Sequence, residues 1–367
     1  MSSFHGFGFL PSLRKTLDEQ NFRSATEIQA KALPILLKGD SVVGIAETGS
    51  GKTLAYALPM MQRLKLLEES GYSISEPGQP WGLVLVPSSD LGEQVSKVFK
   101  AFTHDTRLRV RVAIGGMAMK VARKNVSGPF EILLATPGRL EQLMERKLVS
   151  LEDLKCLVLD EADQILDRGF LPAVQRVLAK CPLGTQKALF SATASDAVHS
   201  LMEELFSEAE LVESSGRHKT VSSLVTENID VPNGQRFPVL EEVPNQPAAG
   251  GTLIFCNTRD QCDALAAELD DHGYPSAIYR GDMDKKERRQ NLRSFRDGEV
   301  EILVSTELGS RGLDVENVDR VINYHLPKEL KNYLHRAGRT ARAGRSGTVI
   351  NLVTRRDANL MKRLESS

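Results

Sequence analysis

The chain reads as an α/β protein of two tandem domains, each a mostly parallel sheet flanked by helices. Three observations carry this. Short apolar runs rich in β-branched residues alternate with longer stretches of helical period, the pattern of βα units. The alternation occurs twice. Between the two series, residues 214–250 turn polar and then rich in proline and glycine (VPNGQ, FPVLEEVPNQP, AAGG), as a connection would.

In the first series the spacing predicts strands at 41–46 (SVVGIA), 82–86 (GLVLV), 108–114 (LRVRVAI), 130–135 (FEILLA), 155–160 (KCLVLD) and 187–191 (KALFS). ESGYSISEPGQP at 69–80 predicts a surface loop. The second series predicts strands at 221–231, 252–256, 276–280, 300–305, 319–324 and 347–353, with helices such as 259–271 and 284–297. The expected organisation is an N-terminal segment 1–30 packed on a first domain 31–210, a linker 211–220, and a second domain 221–367. Proline breaks leave little room for a helix in 232–250.

Length and composition bound the function. At 367 residues the chain can bury two cores, and 41% hydrophobic against 26% charged residues is an ordinary globular balance. No apolar run approaches the roughly 18 residues of a membrane span, and MSSFHGFGFLP lacks the basic start and apolar core of a signal peptide. Cys156, Cys181, Cys256 and Cys262 show no CxxC spacing, which argues against a zinc or disulfide frame and for a reducing cytoplasm. The net charge of -1 excludes a polycationic sleeve but not a local basic track. Such a track exists: Arg336, Arg339, Arg342, Arg345, Arg355, Arg356, Lys362 and Arg363 face only Asp357 between 336 and 363.

The strongest chemical signal is AETGSGKT at 46–53, directly after the apolar run VVGI and opening a helical stretch. A strand, a glycine-rich loop and a helix start place backbone N–H groups and a positive helix end around a phosphate. Thr48, Gly49, Ser50 and Gly51 form the cradle. Lys52 can reach the β- and γ-phosphates, and the Thr53 hydroxyl suits Mg²⁺. The acidic partner is VLDEAD at 158–163: a strand ending in Asp160, placed to hold Mg²⁺, and Glu161, placed to orient and deprotonate the attacking water. A nucleoside triphosphate and Mg²⁺ are the expected ligands, the triphosphate being ATP by the resemblance that follows.

AETGSGKT, DEAD and SAT (191–193) in order, followed by HRAGRTARAGR (335–345), resemble the DEAD-box RNA helicases over nearly the whole chain. The resemblance implies two RecA-like domains, with ATP and RNA both bound across the cleft between them. NFRSATEIQ (21–29) is similar to the family's adenine-sensing segment: Gln29 would pair with the adenine edge, Thr26 would support it, and Phe4 would stack on the base, with Phe7 and Phe9 in the core. Gly115 and Gly116, then Thr136 and Arg139 of TPGR, resemble loops that grip the RNA backbone. Ser191, Thr193 and Asp163 would couple hydrolysis to strand separation.

In the second half, STELGSRGLD (305–314) resembles the motif in which Thr306 contacts RNA, Arg311 joins the domains and Asp314 reaches the ATP ribose. In HRAGRTARAGR, arginines recur every three residues and would share one side of a helix. By resemblance Arg339 and Arg342 are arginine fingers, while His335 and Arg336 organise the closed interface.

Several positions depart from the family pattern. Ser89 stands where an RNA-touching arginine is usual, which implies a weaker grip; Lys285 and Arg288 stand in a segment that many members write Gln-x-x-Arg. Glu307, His325, Asn21 and Ala25 also differ. The expected function is an ATP-dependent RNA helicase acting as a monomer on the RNA sugar-phosphate backbone, unwinding short duplexes locally and non-processively. The alternative is an ATP-gated RNA clamp or assembly scaffold with little unwinding.

Overall fold

The computed structural model describes residues 3–47, 49–72, 76–167, 169–194, 196–214, 224–243, 250–306, 318–340 and 346–365. The chain divides into two compact units, Met1–Gly216 and Arg217–Ser367.

In the first unit the strands are β1 (Val42–Ile45), β2 (Gly82–Leu85), β3 (Val110–Ala113), β4 (Ile132–Ala135), β5 (Cys156–Leu159), β6 (Gln186–Ser191) and β7 (Glu210–Glu213). They form one sheet in the order β3-β4-β2-β5-β6-β1-β7, and every described pairing is parallel. Its helices are α1 (Pro11–Glu19), α2 (Glu27–Lys38), α3 (Lys52–Glu69), α4 (Ser89–Thr106), α5 (Met119–Val126), α6 (Pro137–Glu145), α7 (Ala162–Asp167), α8 (Leu171–Leu178) and α9 (Asp196–Leu205). Alternate strand residues bury to opposite faces, as a period of two requires. Val84, Leu134 and Val158 join Leu13, Ile28 and Phe99 in one core, while Leu83, Leu133 and Leu157 join Leu143 and Val174 in the other. Burial on both faces explains why these strands read as unbroken apolar runs.

The second unit has β8 (Leu224–Asp230), α10 (Phe237–Glu242), β9 (Gly251–Cys256), α11 (Arg259–Asp271), β10 (Ser276–Tyr279), α12 (Lys285–Arg296), β11 (Ile302–Thr306), β12 (Val318–Asn323), α13 (Leu330–Ala337), β13 (Gly347–Val353) and α14 (Ala358–Glu365). Its parallel sheet runs β10-β11-β9-β12-β13-β8.

Four expectations change. The linker does not begin at 211: ELVE forms the edge strand β7, paired with β1, and being mostly exposed it lacks the apolar run that marks a buried strand. The boundary at 30 falls inside α2, because Thr26 starts that helix and Gly39, at φ 99°, ends it. FPVLEE does form a helix despite its proline, which sits in the first turn where the missing N–H costs nothing. The arginines at 336 and 339 do not share a helix: α13 ends at Ala337, and the Thr340 hydroxyl anchors the following turn to the Val318 and Asp319 carbonyls at 2.7 and 3.1 Å.

Candidate active site

Strand order divides the C-terminal edge of the first sheet into two halves. β5, β6 and β1 are neighbours, so the loops carrying DEAD, SAT and the glycine-rich turn emerge side by side. β3, β4 and β2 are neighbours in the other half and deliver Gly115, Thr136 and Ser89. Ligands of parallel sheets bind at this edge.

The glycine-rich turn begins where β1 ends and closes where α3 starts. Gly49 and Gly51 have φ of 87° and 89°, which side chains other than glycine rarely adopt. A Cβ on Gly51 would also stand 2.5 Å from Gln29 Nε2. That contact is specific: Gln29 Nε2 donates to the Gly51 carbonyl at 2.9 Å, and Gln29 Oε1 accepts from the Thr26 backbone N–H at 2.8 Å. One buried amide thus caps α2 and fastens the loop. Phe4 reaches the same segment through its N–H to the Arg23 carbonyl at 3.2 Å and the Ser3–Ser24 bridge. Its ring is buried against Phe7 and Phe9, with Phe9 equally buried and Phe7 partly so.

Lys52 is buried and its ammonium donates to the Ala46 and Glu47 carbonyls at 2.7 and 3.1 Å. The buried Ser50 Oγ has no hydrogen-bond partner. An orphaned hydroxyl between two left-handed glycines, in a loop whose own carbonyls hold a buried ammonium, fits a phosphate. Thr48 lies outside the described residues.

Asp160 and Glu161 are both buried. Burial pushes the Asp160 carboxyl above its ordinary range, against the Tyr56 hydrogen bond and the nearby Lys52 charge. The Tyr56 hydroxyl donates to Asp160 Oδ2 at 2.6 Å, and the Glu161 N–H donates to Oδ1 at 3.0 Å. Glu161 itself has φ 50°, uncommon for a residue with a side chain, and accepts from the Gln164 amide. Oxygen donors from Thr53 and Asp160 fit Mg²⁺, a hard cation usually completed by water and substrate phosphates. Among the described residues no cluster of three or more His, Cys, Asp or Glu side chains could cage a metal alone.

DEAD and SAT are joined directly. Thr193 Oγ1 donates to Asp163 Oδ2 at 3.1 Å, and Ser191 Oγ donates to the Thr193 carbonyl at 2.8 Å.

In the other half, three loops are bonded to one another. The Ser89 hydroxyl donates to the Gly115 carbonyl at 2.6 Å, and the Gly115 N–H donates to the Thr136 hydroxyl at 3.0 Å. Arg139 donates to the Met117 carbonyl. Gly116, at φ 71°, has open space where a side chain would stand. Thr136 precedes α6 and Pro137 begins it, so the TPGR turn is also a helix start.

In the second unit Thr306 ends β11 and is buried. Arg288 on α12 lies 5.6 Å from the Tyr279 ring centroid, and Lys285 is the first residue of that helix. Arg336 is buried inside the unit: its guanidinium donates to Asn323 Oδ1 at 3.2 Å, the His325 carbonyl at 2.7 Å and Asn257 Oδ1 at 2.9 Å, above the Phe255 ring. Arg339, in the turn beyond α13, is buried and donates to the His335 carbonyl at 3.2 Å. Glu307, Arg311, Asp314 and Arg342 lie outside the described residues.

Sequence reasoning missed Tyr56, Gln164 and the role of Ser89. A tyrosine three residues after Thr53, in the apolar stretch LAYALPMM that opens its helix, is the available signal, since a buried phenol needs a partner. Gln164 follows DEAD by one position without a motif of its own. In the sequence Ser89 is marked only by the arginine it replaces, whereas its hydroxyl makes a bond to the Gly115 carbonyl that an arginine there would not.

Comparison with known proteins agrees with this geometry. The family model described as DEAD/DEAH box helicase matches residues 26–201, and that described as Helicase conserved C-terminal domain matches 236–344. The ATP-dependent rRNA helicase rrp3 of Sclerotinia sclerotiorum is 37% identical over 367 residues, covering 100% of this chain and 74% of its own length. The solved structure of S. cerevisiae Dbp5 bound to RNA and ADP BeF3 superposes with TM-score 0.86 at 30% identity, over 100% of this chain and 93% of that one. Mss116p bound to ssRNA and AMP-PNP gives 0.85 at 25% identity, over 99% and 76%. The chain belongs to the DEAD-box family of ATP-dependent RNA helicases, with the tandem RecA-like domains of that family.

Proposed function

We propose that the chain hydrolyses ATP in response to RNA and uses the cycle to separate short duplexes locally, without travelling along the strand. The observation that carries this is the Thr193–Asp163 bond, which connects the loops at the hydrolytic edge within one rigid sheet. Lys52 holds and neutralises the phosphates, Glu161 takes the proton of the attacking water, and ATP and water leave as ADP and phosphate. Thr53 and Asp160 would hold Mg²⁺, which would offset phosphate charge. Arg339 and Arg342 complete the site on closure of the two units, and each ligand favours closure because it binds both.

Ser89, Gly116, Thr136 and Arg139 form the RNA face of the first unit, with Lys285, Arg288 and Thr306 in the second. Backbone amides, hydroxyls and guanidinium groups suit phosphates and sugars rather than base edges, so little sequence preference follows. The names of the rrp3 relatives make ribosomal RNA the first substrate to try. Four cysteines without a disulfide pattern support a reducing cytoplasm as its place of action, and the chain is read as acting as a monomer.

The test is steady-state ATPase with RNA, DNA or no nucleic acid, beside separation of a short RNA duplex, with Glu161→Gln as control. RNA-stimulated hydrolysis with strand separation is expected. Ser89, which has no charge to offer RNA, favours a second reading as an ATP-gated clamp; RNA-stimulated hydrolysis without separation would select it. Stimulation by DNA alone would overturn both.

A further inference from the structure

Tyr56 is 1% exposed and lies under the strand ends that carry the site, its ring centroid 5.5 Å from that of Phe190 and 6.3 Å from that of Phe99. Phenylalanine would pack equally well in such a slot. The hydroxyl is therefore what distinguishes tyrosine here, and burying it requires partners. It has one. The phenol donates to Asp160 Oδ2 at 2.6 Å. A carboxylate only accepts, so the phenol proton lies toward Asp160. Asp160 uses its other oxygen for the Glu161 N–H at 3.0 Å.

We infer that Tyr56 is a positioning residue for the metal: one buried phenol fixes the orientation of Asp160, a side chain read as Mg²⁺-holding. The inference rests on that reading of Asp160. Donation to Asp160 Oδ2 holds the carboxylate plane while satisfying one of its acceptors. Partners of this kind, one shell behind the ligands, set metal affinity without touching the metal.

The experiment uses the full chain and a fluorescent ADP analogue, titrated with Mg²⁺ present or with EDTA, for wild type, Tyr56→Phe, Asp160→Asn and the double variant. Thermal unfolding is followed in parallel. With EDTA, Tyr56→Phe is expected to bind the analogue within about twofold of wild type. The tightening produced by Mg²⁺ is expected to shrink about tenfold, a typical effect of removing such a partner. The Mg²⁺ concentration for half-maximal ATPase should rise with it.

In the double variant the loss should equal that of Asp160→Asn alone, because Tyr56 acts through Asp160. Wild-type metal tightening in Tyr56→Phe, equal weakening with and without Mg²⁺, or additive losses in the double variant would each overturn the inference. If Asp160→Asn itself leaves metal tightening unchanged, the underlying assignment of Asp160 fails instead, and the inference with it. A readout needing no variant is the near-ultraviolet tyrosine difference spectrum on adding Mg²⁺ to the ADP complex of the wild-type chain: a perturbation is expected, and its absence counts against the positioning role.

Discussion

The Thr193 hydroxyl donates to the Asp163 carboxylate at 3.1 Å, so the segment after β6 is hydrogen-bonded to the helix start after β5. Thr193→Val keeps the volume and removes the donor. ATPase with RNA is expected to stay within about threefold of wild type while duplex separation falls at least about tenfold, and stability drops by about 1 kcal/mol for the lost bond. Measuring both rates on one preparation checks this; parallel loss of the two would place Thr193 in hydrolysis rather than coupling.

Lys52 is buried and held on the Ala46 and Glu47 carbonyls. Lys52→Ala should lower kcat for ATP at least about 100-fold, because positioned charge is most of what a protein supplies to phosphoryl transfer. A variant with wild-type turnover would remove the assignment of the phosphate loop.

The Ser89 hydroxyl ties the helix after β2 to the Gly115 carbonyl beyond β3. Ser89→Ala should weaken single-stranded RNA binding by about three- to tenfold, the cost of one hydrogen bond used to order a binding loop. ATP affinity without RNA should not change. Fluorescence anisotropy with a labelled RNA checks it, and unaltered RNA affinity would reduce the bond to a packing detail.

Burial first, then the charges of Arg236 and Arg336, push the His325 ring down to about 4, against a smaller opposing pull from Asp357. The buried Nδ1 has no hydrogen-bond partner to compensate protonation. The folded chain therefore holds the ring neutral where the unfolded chain, near 6.5, takes up a proton. The stability this gives is complete above about pH 6.5 and is lost as pH falls toward 4. Melting temperature against pH should fall over that window, and His325→Asn, neutral throughout, should flatten the fall. An identical slope in the variant would mean that other groups cause it.

Most of the fold was legible because parallel strands buried on both faces must be apolar throughout, and SVVGIA, GLVLV and KCLVLD are. ELVE escaped for the opposite reason: an edge strand with exposed side chains carries no such mark, and only its pairing with β1 defines it. In the site, AETGSGKT and DEAD announced themselves through residue types that few other structures need. Tyr56, Gln164 and Ser89 did not. Their roles depend on which loops the strand order brings together, and β5 beside β6, or β2 beside β4, is a property of the sheet that local spacing does not encode. The three-residue recurrence of arginine from 336 gave the wrong local geometry, because a helix ending is decided by the anchoring of Thr340 and not by charge spacing.

Gln29 spends its amide twice, on the Thr26 N–H and on the Gly51 carbonyl. Each bond leaves a second site over, another N–H on Nε2 and another lone pair on Oε1. A base edge that engaged both would meet an amide whose plane is already held, so little side-chain freedom would be lost on binding. A mismatched edge would instead leave a buried donor or acceptor stranded, and because the same amide is fastened to the Gly51 carbonyl, the wrong base would disturb the glycine-rich turn as well.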